Sequence, residues 1–356
     1  MVEGVEARKE KFMKRILLLI NCMIQVVGTC GGPLVIRLYY IHGGKRIWLS
    51  CFLQTVGFPI LLIPLTISYI IRRRNRELVI SNDTSKEKIF TMKLPLFLVF
   101  SLIGVLQGID NILYSNGLAW LPVSTSVLII STQLAFTAIF AFVLVRQKFT
   151  PYSVNAVIML ILGAVILALN GSGDRSAGET KKQYVRGFVM TIAAAILYGF
   201  ILPMVELVYK KAKQPITYSL VLEIQIVLSL FGALFSIIGM SINHDFKAIP
   251  IEAKHFKLGE TIYYVVLVVT AILWQLSSLG AMGVIFCASS LMSGIVIAMS
   301  TPITEVLAVI FYKEKFQAVK GISLVLSLWG FVSYFYGEFK ESRKLKKNSI
   351  PETIQP

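Results

Sequence analysis

The chain has 356 residues, 56% of them hydrophobic and only 15% charged, with a mean hydropathy of +0.73. Soluble domains carry about a quarter charged residues, and no aqueous core of this size could hide so much apolar surface, so the composition calls for lipid as solvent. The net charge of +16 is spread over short basic clusters between apolar runs, as topogenic charges are, which argues against nucleic acid as a partner.

A basic leader, 1–15, precedes the first apolar run. That run is long and lacks a small-residue cleavage site, so it is read as a membrane span rather than a signal peptide. A spanning helix needs about 20 apolar residues. Ten such runs follow, at 16–38, 47–71, 94–114, 119–145, 152–170, 187–209, 217–242, 261–284, 287–311 and 318–338. The third and fourth are parted only at Ser115-Asn116-Gly117-Leu118, and the eighth and ninth only at Cys287-Ala288-Ser289-Ser290. The expected fold is an all-α integral membrane protein with ten transmembrane helices.

Polar residues inside these runs should face a cavity or a neighbouring helix, because hydrocarbon penalises them. The first span holds Gln25 near its middle. In the third, Gln107, Asp110, Asn111 and Tyr114 recur at i, i+3, i+4 and i+7, one helical face, and Gly104-x-x-x-Gly108 lets another backbone approach. The fourth carries Gln133 with Ser126 and Thr137 on the same face. The sixth has Tyr198 and Glu206 on one face around Pro203, and the seventh has Glu223 and Gln225. Trp274-Gln275 with Ser277 and Ser278 falls near the middle of the eighth, and Thr301-Pro302, Thr304 and Glu305 lie in the ninth.

With the N-terminus in the cytosol, the inner loops hold 22 Lys and Arg residues and the outer ones 12, so both termini are placed inside. A repeat also emerges. An offset of 167 lays Arg146-Gln147-Lys148-Phe149 on Lys313-Glu314-Lys315-Phe316, and pairs Ser126 with Ser293, Thr137 with Thr304, Ala141 with Ala308 and Gly163 with Gly330. Each half is then five helices, an odd number, so the halves enter the membrane with opposite polarity. The domain reading is a leader (1–15), a first repeat (16–170), a loop (171–186), an inverted second repeat (187–339) and a cytosolic tail (340–356). Inverted repeats of this kind recur in secondary transporters.

No Lys or Arg lies in the central part of any span, which disfavours a phosphorylated solute, since phosphate needs fixed cations. Amides and aromatics suit a neutral, flat, hydrogen-bonding heterocycle, because carboxamides pair bidentately with an adenine-like edge and rings stack on it. The substrate-binding candidates are Gln107, Asn111, Gln133, Tyr198, Trp274 and Gln275, with Trp274 or Tyr198 as the platform; Trp120 reads as an interfacial anchor. The membrane acids Asp110, Glu206, Glu223 and Glu305 have no embedded basic partner in sequence. Burial favours the protonated carboxyl, which is the property that proton coupling uses. Glu206 or Glu223 comes first for that role, then Asp110. Cys22, Cys30, Cys51 and Cys287 have neither metal spacing nor a disulfide framework and read as small hydrophobes. The acids and Cys287 show no nucleophile–base pairing, which argues against an enzyme.

Several strings resemble the plant purine permease family, within the drug/metabolite transporter superfamily. They are Gln107-Gly108-Ile109-Asp110-Asn111-Ile112-Leu113-Tyr114, Leu121-Pro122-Val123-Ser124-Thr125-Ser126, Ser131-Thr132-Gln133-Leu134-Ala135-Phe136, and Leu197-Tyr198-Gly199-Phe200 with Pro203 and Glu206. Trp274-Gln275, Ser289-Ser290-Leu291 with Ser293-Gly294, and Trp329-Gly330-Phe331 with Ser333-Tyr334 continue the likeness, which covers about 16–340. Thr301-Pro302 stands where a Leu-Pro pair is expected. The resemblance implies ten spans in two inverted halves and proton-coupled import of adenine, cytokinins and related nitrogen heterocycles. Some members are similar to carriers of caffeine, alkaloids or vitamin B6 forms. The expectation is a multi-pass plasma-membrane symporter with protons as coupling ion, no other cofactor, no metal, and a small heterocycle and the lipid bilayer as partners. The rival readings are an exporter or facilitator of amphipathic metabolites, and a membrane receptor without transport.

Overall fold

The computed structural model describes residues 2–79, 90–147, 150–170, 181–313 and 318–348. Residues 80–89 of the loop 72–93, the far end of the tail and the side chain of Glu305 lie outside the described residues, and 72–79 belong to a helix. Every regular element among the described residues is helical. Hydrocarbon imposes this, because backbone groups that water cannot reach must bond within their own segment. In chain order these are α1 (Val2–Ile41), α2 (Ile47–Leu53), a 3-10 turn (Phe58–Leu61), α3 (Leu62–Val79), α4 (Leu94–Trp120), α5 (Val123–Ser131) and α6 (Gln133–Val145). Then come α7 (Pro151–Asn170), α8 (Lys181–Lys211), α9 (Tyr218–Ile242), α10 (Asp245–Lys254), α11 (Glu260–Cys287), α12 (Ser290–Tyr312) and α13 (Ala318–Asn348).

Among the described residues seven helical stretches are long and apolar enough to cross a membrane, and three shorter apolar helices, Ile129–Val145, Pro151–Gly163 and Gly321–Tyr334, accompany them. The surface is inverted relative to a soluble protein. Leu19, Leu98, Leu102, Phe142, Val268 and Phe311 are exposed, whereas Asn21, Gln25, Gln133, Glu223 and Ser293 are buried.

Several boundaries differ from the apolar-run reading, each for a local reason. The run at 47–71 is interrupted after Leu53. Thr55 Oγ1 donates to the Phe52 carbonyl at 3.2 Å, competing with the helical ladder, and Pro59 enters the 3-10 turn without an N–H to continue one. Helix α4 does not stop at Ser115 but runs on to Trp120. It ends there because Leu121, the residue before Pro122, is held extended (φ −118°, ψ 149°), as a residue preceding proline prefers. The run at 119–145 divides at Thr132, whose Oγ1 donates to the Ile129 carbonyl at 2.7 Å. Helix α8 begins at Lys181, inside the expected loop, and passes through Pro203, while α13 continues into the expected tail. The division between α11 and α12 falls where the sequence placed it, with Ser289 Oγ accepting from the Met292 N–H at 3.2 Å as an N-cap does.

Several crossings bring backbones together. A Cβ on Gly28 of α1 would lie 2.3 Å from the Ser277 nitrogen of α11, and one on Gly280 of α11 would lie 2.6 Å from the Gln25 nitrogen. On α4, a Cβ on Gly104 would stand 2.6 Å from the Leu228 oxygen of α9. Small residues permit such approaches in membranes, where packing rather than hydrophobic burial drives helix association. Two of the apolar clusters among the described residues contain or pack against residues that line a cavity. One joins Phe100, Ile103, Ile201, Val205, Ile224 and Leu228 from α4, α8 and α9. The other joins Ile36, Tyr39, Leu118 and Tyr263 with α10 residues. Tyr198 packs against the first and Tyr114, Ala194 and Trp274 against the second. These residues surround the cavity between the clusters.

Candidate functional site

The cavity has a volume of about 70 Å³, room for several waters. Helix α4 contributes Gln107, Asp110, Asn111 and Tyr114, the full polar stripe read from its spacing. Gln133 enters from the start of α6, Ala194 and Tyr198 from α8, and Trp274, Ser277 and Ser278 from α11. Five of the six substrate candidates therefore line one hollow. The sixth, Gln275, points elsewhere: its Oε1 accepts from Ser229 Oγ of α9 at 3.3 Å, and it is absent from the lining. Gln275 lies about 100° round α11 from Trp274, on the side that meets Ser229 of α9.

Within the cavity, Gln107 Nε2 donates to Asn111 Oδ1 at 3.0 Å and to Asp110 Oδ2 at 3.3 Å. Asp110 Oδ1, Asn111 Nδ2, Gln133 Nε2 and Trp274 Nε1 are buried without a hydrogen-bond partner. Each such orphan costs about 1–3 kcal/mol when left dry. One acceptor and three donors without partners thus belong to residues that line one cavity, with no Lys or Arg among the lining residues. Tyr114 and Trp274 meet edge to face, with centroids 5.5 Å apart and planes at 81°, the geometry aromatic quadrupoles favour. Gly32 makes room for the indole, since a Cβ there would lie 2.9 Å from Trp274 Cε2.

Six lining residues were not singled out in the sequence: Thr29 and Pro33 of α1, Gln54 at the end of α2, Ile130 of α5, Ala194 of α8 and Ile297 of α12. Gln54 Nε2 donates to Ser115 Oγ at 2.7 Å, which ties the broken second span to α4. Its signal was available, as a polar pair followed by Gly57 and Pro59 inside an apolar run. Thr29 Oγ1 and Ser277 Oγ share a hydrogen bond of 2.9 Å across the α1–α11 crossing.

The acids separate by position. Asp110 lines the cavity. Glu206 does not: its Oε2 accepts from the Ser290 N–H at 2.7 Å and Ser290 Oγ at 2.5 Å, at the first turn of α12. Its Oε1 pairs with Lys210 Nζ at 2.8 Å, one turn along α8. Lys210 is an i,i+4 partner with an exposed side chain, at the end of α8 rather than embedded in the span. Glu223 accepts from Thr91 N–H at 2.8 Å, Thr91 Oγ1 at 2.8 Å and Met92 N–H at 2.9 Å, just ahead of α4. Both glutamates thus place negative charge where helix N-terminal amides collect, the favourable end of the dipole. Gln25 serves packing as well, donating to Ser293 Oγ at 2.9 Å.

Apolar helices around a buried polar hollow define a multi-pass membrane protein with a central small-molecule cavity. A family model described as purine nucleobase transmembrane transport matches residues 16–344. The chain is 54% identical to purine permease 3 of Arabidopsis thaliana, over 96% of this chain and 97% of that protein. It is 53% identical to purine permease 2 of the same plant, over 94% and 95%. A solved crystal structure shares the fold at a TM-score of 0.50 and 15% identity, covering 89% of this chain and 95% of that one. The chain belongs to the purine permease family.

Proposed function

We propose that the protein imports purine bases and related nitrogen heterocycles, adenine and cytokinins among them, across the plasma membrane with protons as the coupling ion. The observation that carries this reading is the set of unpartnered atoms Asp110 Oδ1, Asn111 Nδ2, Gln133 Nε2 and Trp274 Nε1 around one cavity. A purine supplies ring nitrogens to the donors and an amino or N–H group to the acceptor. The faces of Tyr198 and Trp274 are suited to stacking it. A phosphate would find no cation in the lining.

Support for ten spans in two inverted halves comes from the interval of 167 residues. The starts of α5 and α12 (Val123, Ser290), the ends of α6 and α12 (Val145, Tyr312) and the starts of α7 and α13 (Pro151, Ala318) are all separated by it. So are Arg146 and Lys313, both left-handed at φ 53° and 51°. The lining pairs up likewise: Gln107 with Trp274, Asp110 with Ser277, Asn111 with Ser278, and Ile130 with Ile297. The packing of α4 on α8 is answered by that of α11 on α1. A base on the pseudo-two-fold axis meets an amide and carboxyl edge from the first half and an indole and hydroxyl edge from the second. Rocking of such halves about a fixed site gives alternating access, with both termini on the cytosolic side by the positive-inside rule.

For coupling, Asp110 is the acid that shares the cavity with the substrate, whereas Glu206 and Glu223 are committed to helix termini. A proton taken up outside at Asp110 and released inside would drive accumulation. The test is uptake of radiolabelled adenine by cells expressing the protein. Uptake falls as external pH rises and when a protonophore is added, and Asp110→Asn removes that pH dependence. Accumulation indifferent to both treatments overturns the coupling, and adenine flux only outward overturns import.

A further inference from the structure

We propose that Gln54, at the break in the second span, is a substrate-binding residue that accepts the ring N–H of a free purine base. It thereby selects free bases over 9-substituted ones. This rests on the cavity being the purine site. Gln54 is the C-cap of α2, lines the cavity and is 5% exposed. Its Nε2 donates to Ser115 Oγ at 2.7 Å and lies 3.4 Å from the carbonyl oxygens of both Asn111 and Ser50.

Those partners fix which way the amide faces. A main-chain carbonyl can only accept, so the end of the carboxamide that meets two of them is the NH2 end. Ser115 Oγ spends its own proton on Ser50 Oγ at 3.2 Å, which leaves it an acceptor toward Gln54. Ser50 and Ser115 are fully buried and do not line the cavity, so the nitrogen is drawn into the α2–α4 contact. The oxygen is the other end. Oε1 accepts no hydrogen bond from a described residue, yet it is not among the buried polar atoms left without a partner. It is therefore not sealed in, and the space Gln54 borders is the cavity.

A carbonyl oxygen held in this way calls for an N–H. Among purine bases that differ at carbon 6, the N–H of the five-membered ring is the donor all share, and a ribose or methyl group at position 9 removes it. A 9-substituted base would leave Oε1 facing a substrate with nothing to donate, and a site that hydrogen-bonds its substrate strongly rejects the analogue lacking that group. A carboxamide does not ionise, so Gln54 accepts whether or not Asp110 carries a proton. The acceptor belongs to the first half alone. Its counterpart span in the proposed second half, α9, runs unbroken from Tyr218 to Ile242 and sends no side chain to the cavity lining.

The experiment measures inhibition of radiolabelled adenine uptake by unlabelled adenine and by 9-methyladenine, at one fixed pH, in cells with surface expression checked by labelling. The wild-type protein is expected to favour adenine by about ten-fold or more, the scale of an unpaired buried group; a ratio near one overturns the proposal. Gln54→Met keeps the length and removes the oxygen, and the ratio falls to within about three-fold, chiefly through weaker adenine binding. Ser115→Ala frees the amide to turn and lowers the ratio as well, whereas Ser115→Thr, which keeps the hydroxyl, holds it near wild type. Loss of both compounds by the same factor in Gln54→Met would mean a structural role only and would overturn the proposal, as would an unchanged ratio. So would a change seen instead against unsubstituted purine, which lacks the 6-amino group, because Oε1 would then meet the amino hydrogens. If Gln54→Met fails to reach the surface, Gln54→Asn, which draws the oxygen back by one carbon, must lower the ratio in its place, and an unchanged ratio there overturns the proposal too. Failure of the wild-type protein to take up any purine refutes the function itself, a result distinct from all of these.

Discussion

Replacing Glu206 separates a carboxylate that carries protons from one that closes a helix end. In the structure Glu206 is 4% exposed, and one oxygen receives both the N–H and the hydroxyl of Ser290. Glu206→Ala leaves both donors without an acceptor, at about 1–3 kcal/mol each, and removes an anion from the α12 N-terminus, about 0.3–1 kcal/mol. Lys210 adds little, because its side chain is 56% exposed and such ion pairs are screened by solvent. The expected loss is roughly 2–7 kcal/mol for the alanine variant. Glu206→Gln keeps one oxygen as acceptor and loses only the charge assistance, about 1–2 kcal/mol. The assay is thermal unfolding of detergent-purified protein alongside radiolabelled adenine uptake across external pH. Alanine should unfold well below wild type, with glutamine close to it and retaining the normal pH dependence of uptake. A glutamine variant that is stable but has lost that pH dependence would refute the capping argument and restore Glu206 as the coupling acid. An alanine variant as stable as wild type would refute the energetics.

Other expectations follow from packing and from the cavity. Gly28→Ala and Gly280→Ala each force a methyl group to within 2.3 and 2.6 Å of backbone nitrogen across the α1–α11 crossing. Overpacking of this kind costs about 1–3 kcal/mol or more, which should appear as a lower unfolding temperature in detergent. Gln133→Ala, which deletes an unpartnered cavity donor, should reduce adenine uptake about ten-fold or more at unchanged surface expression; normal uptake would remove Gln133 from the site. Glu223→Ala strips the acceptor from the Thr91 and Met92 amides, and faster hydrogen exchange at the start of α4 is the measurement that reports it.

Much of this molecule could be read before any coordinates. Lipid admits only a short list of backbones, so long apolar runs state helices, and a carboxyl with two carboxamides on one α4 face states that something polar stands opposite. The family resemblance was carried by the same residues, and the comparisons agree with it. Tertiary structure decided which polar groups meet. Periodicity reports the face of one helix but not the neighbour that covers it. Glu223 finds its partners 131 and 132 residues away, and Glu206 finds Ser290 at a separation of 84. Both separations lie far beyond any pattern along one segment. For that reason the sequence ranked the two glutamates ahead of Asp110, whereas the packing commits them to helix ends and leaves Asp110 facing the hollow. The breaks after Leu53 and at Thr132 escaped for a related reason. Hydropathy counts side chains, and a threonine hydroxyl that takes a carbonyl from the ladder, as at Thr55 and Thr132, alters the backbone without altering the count.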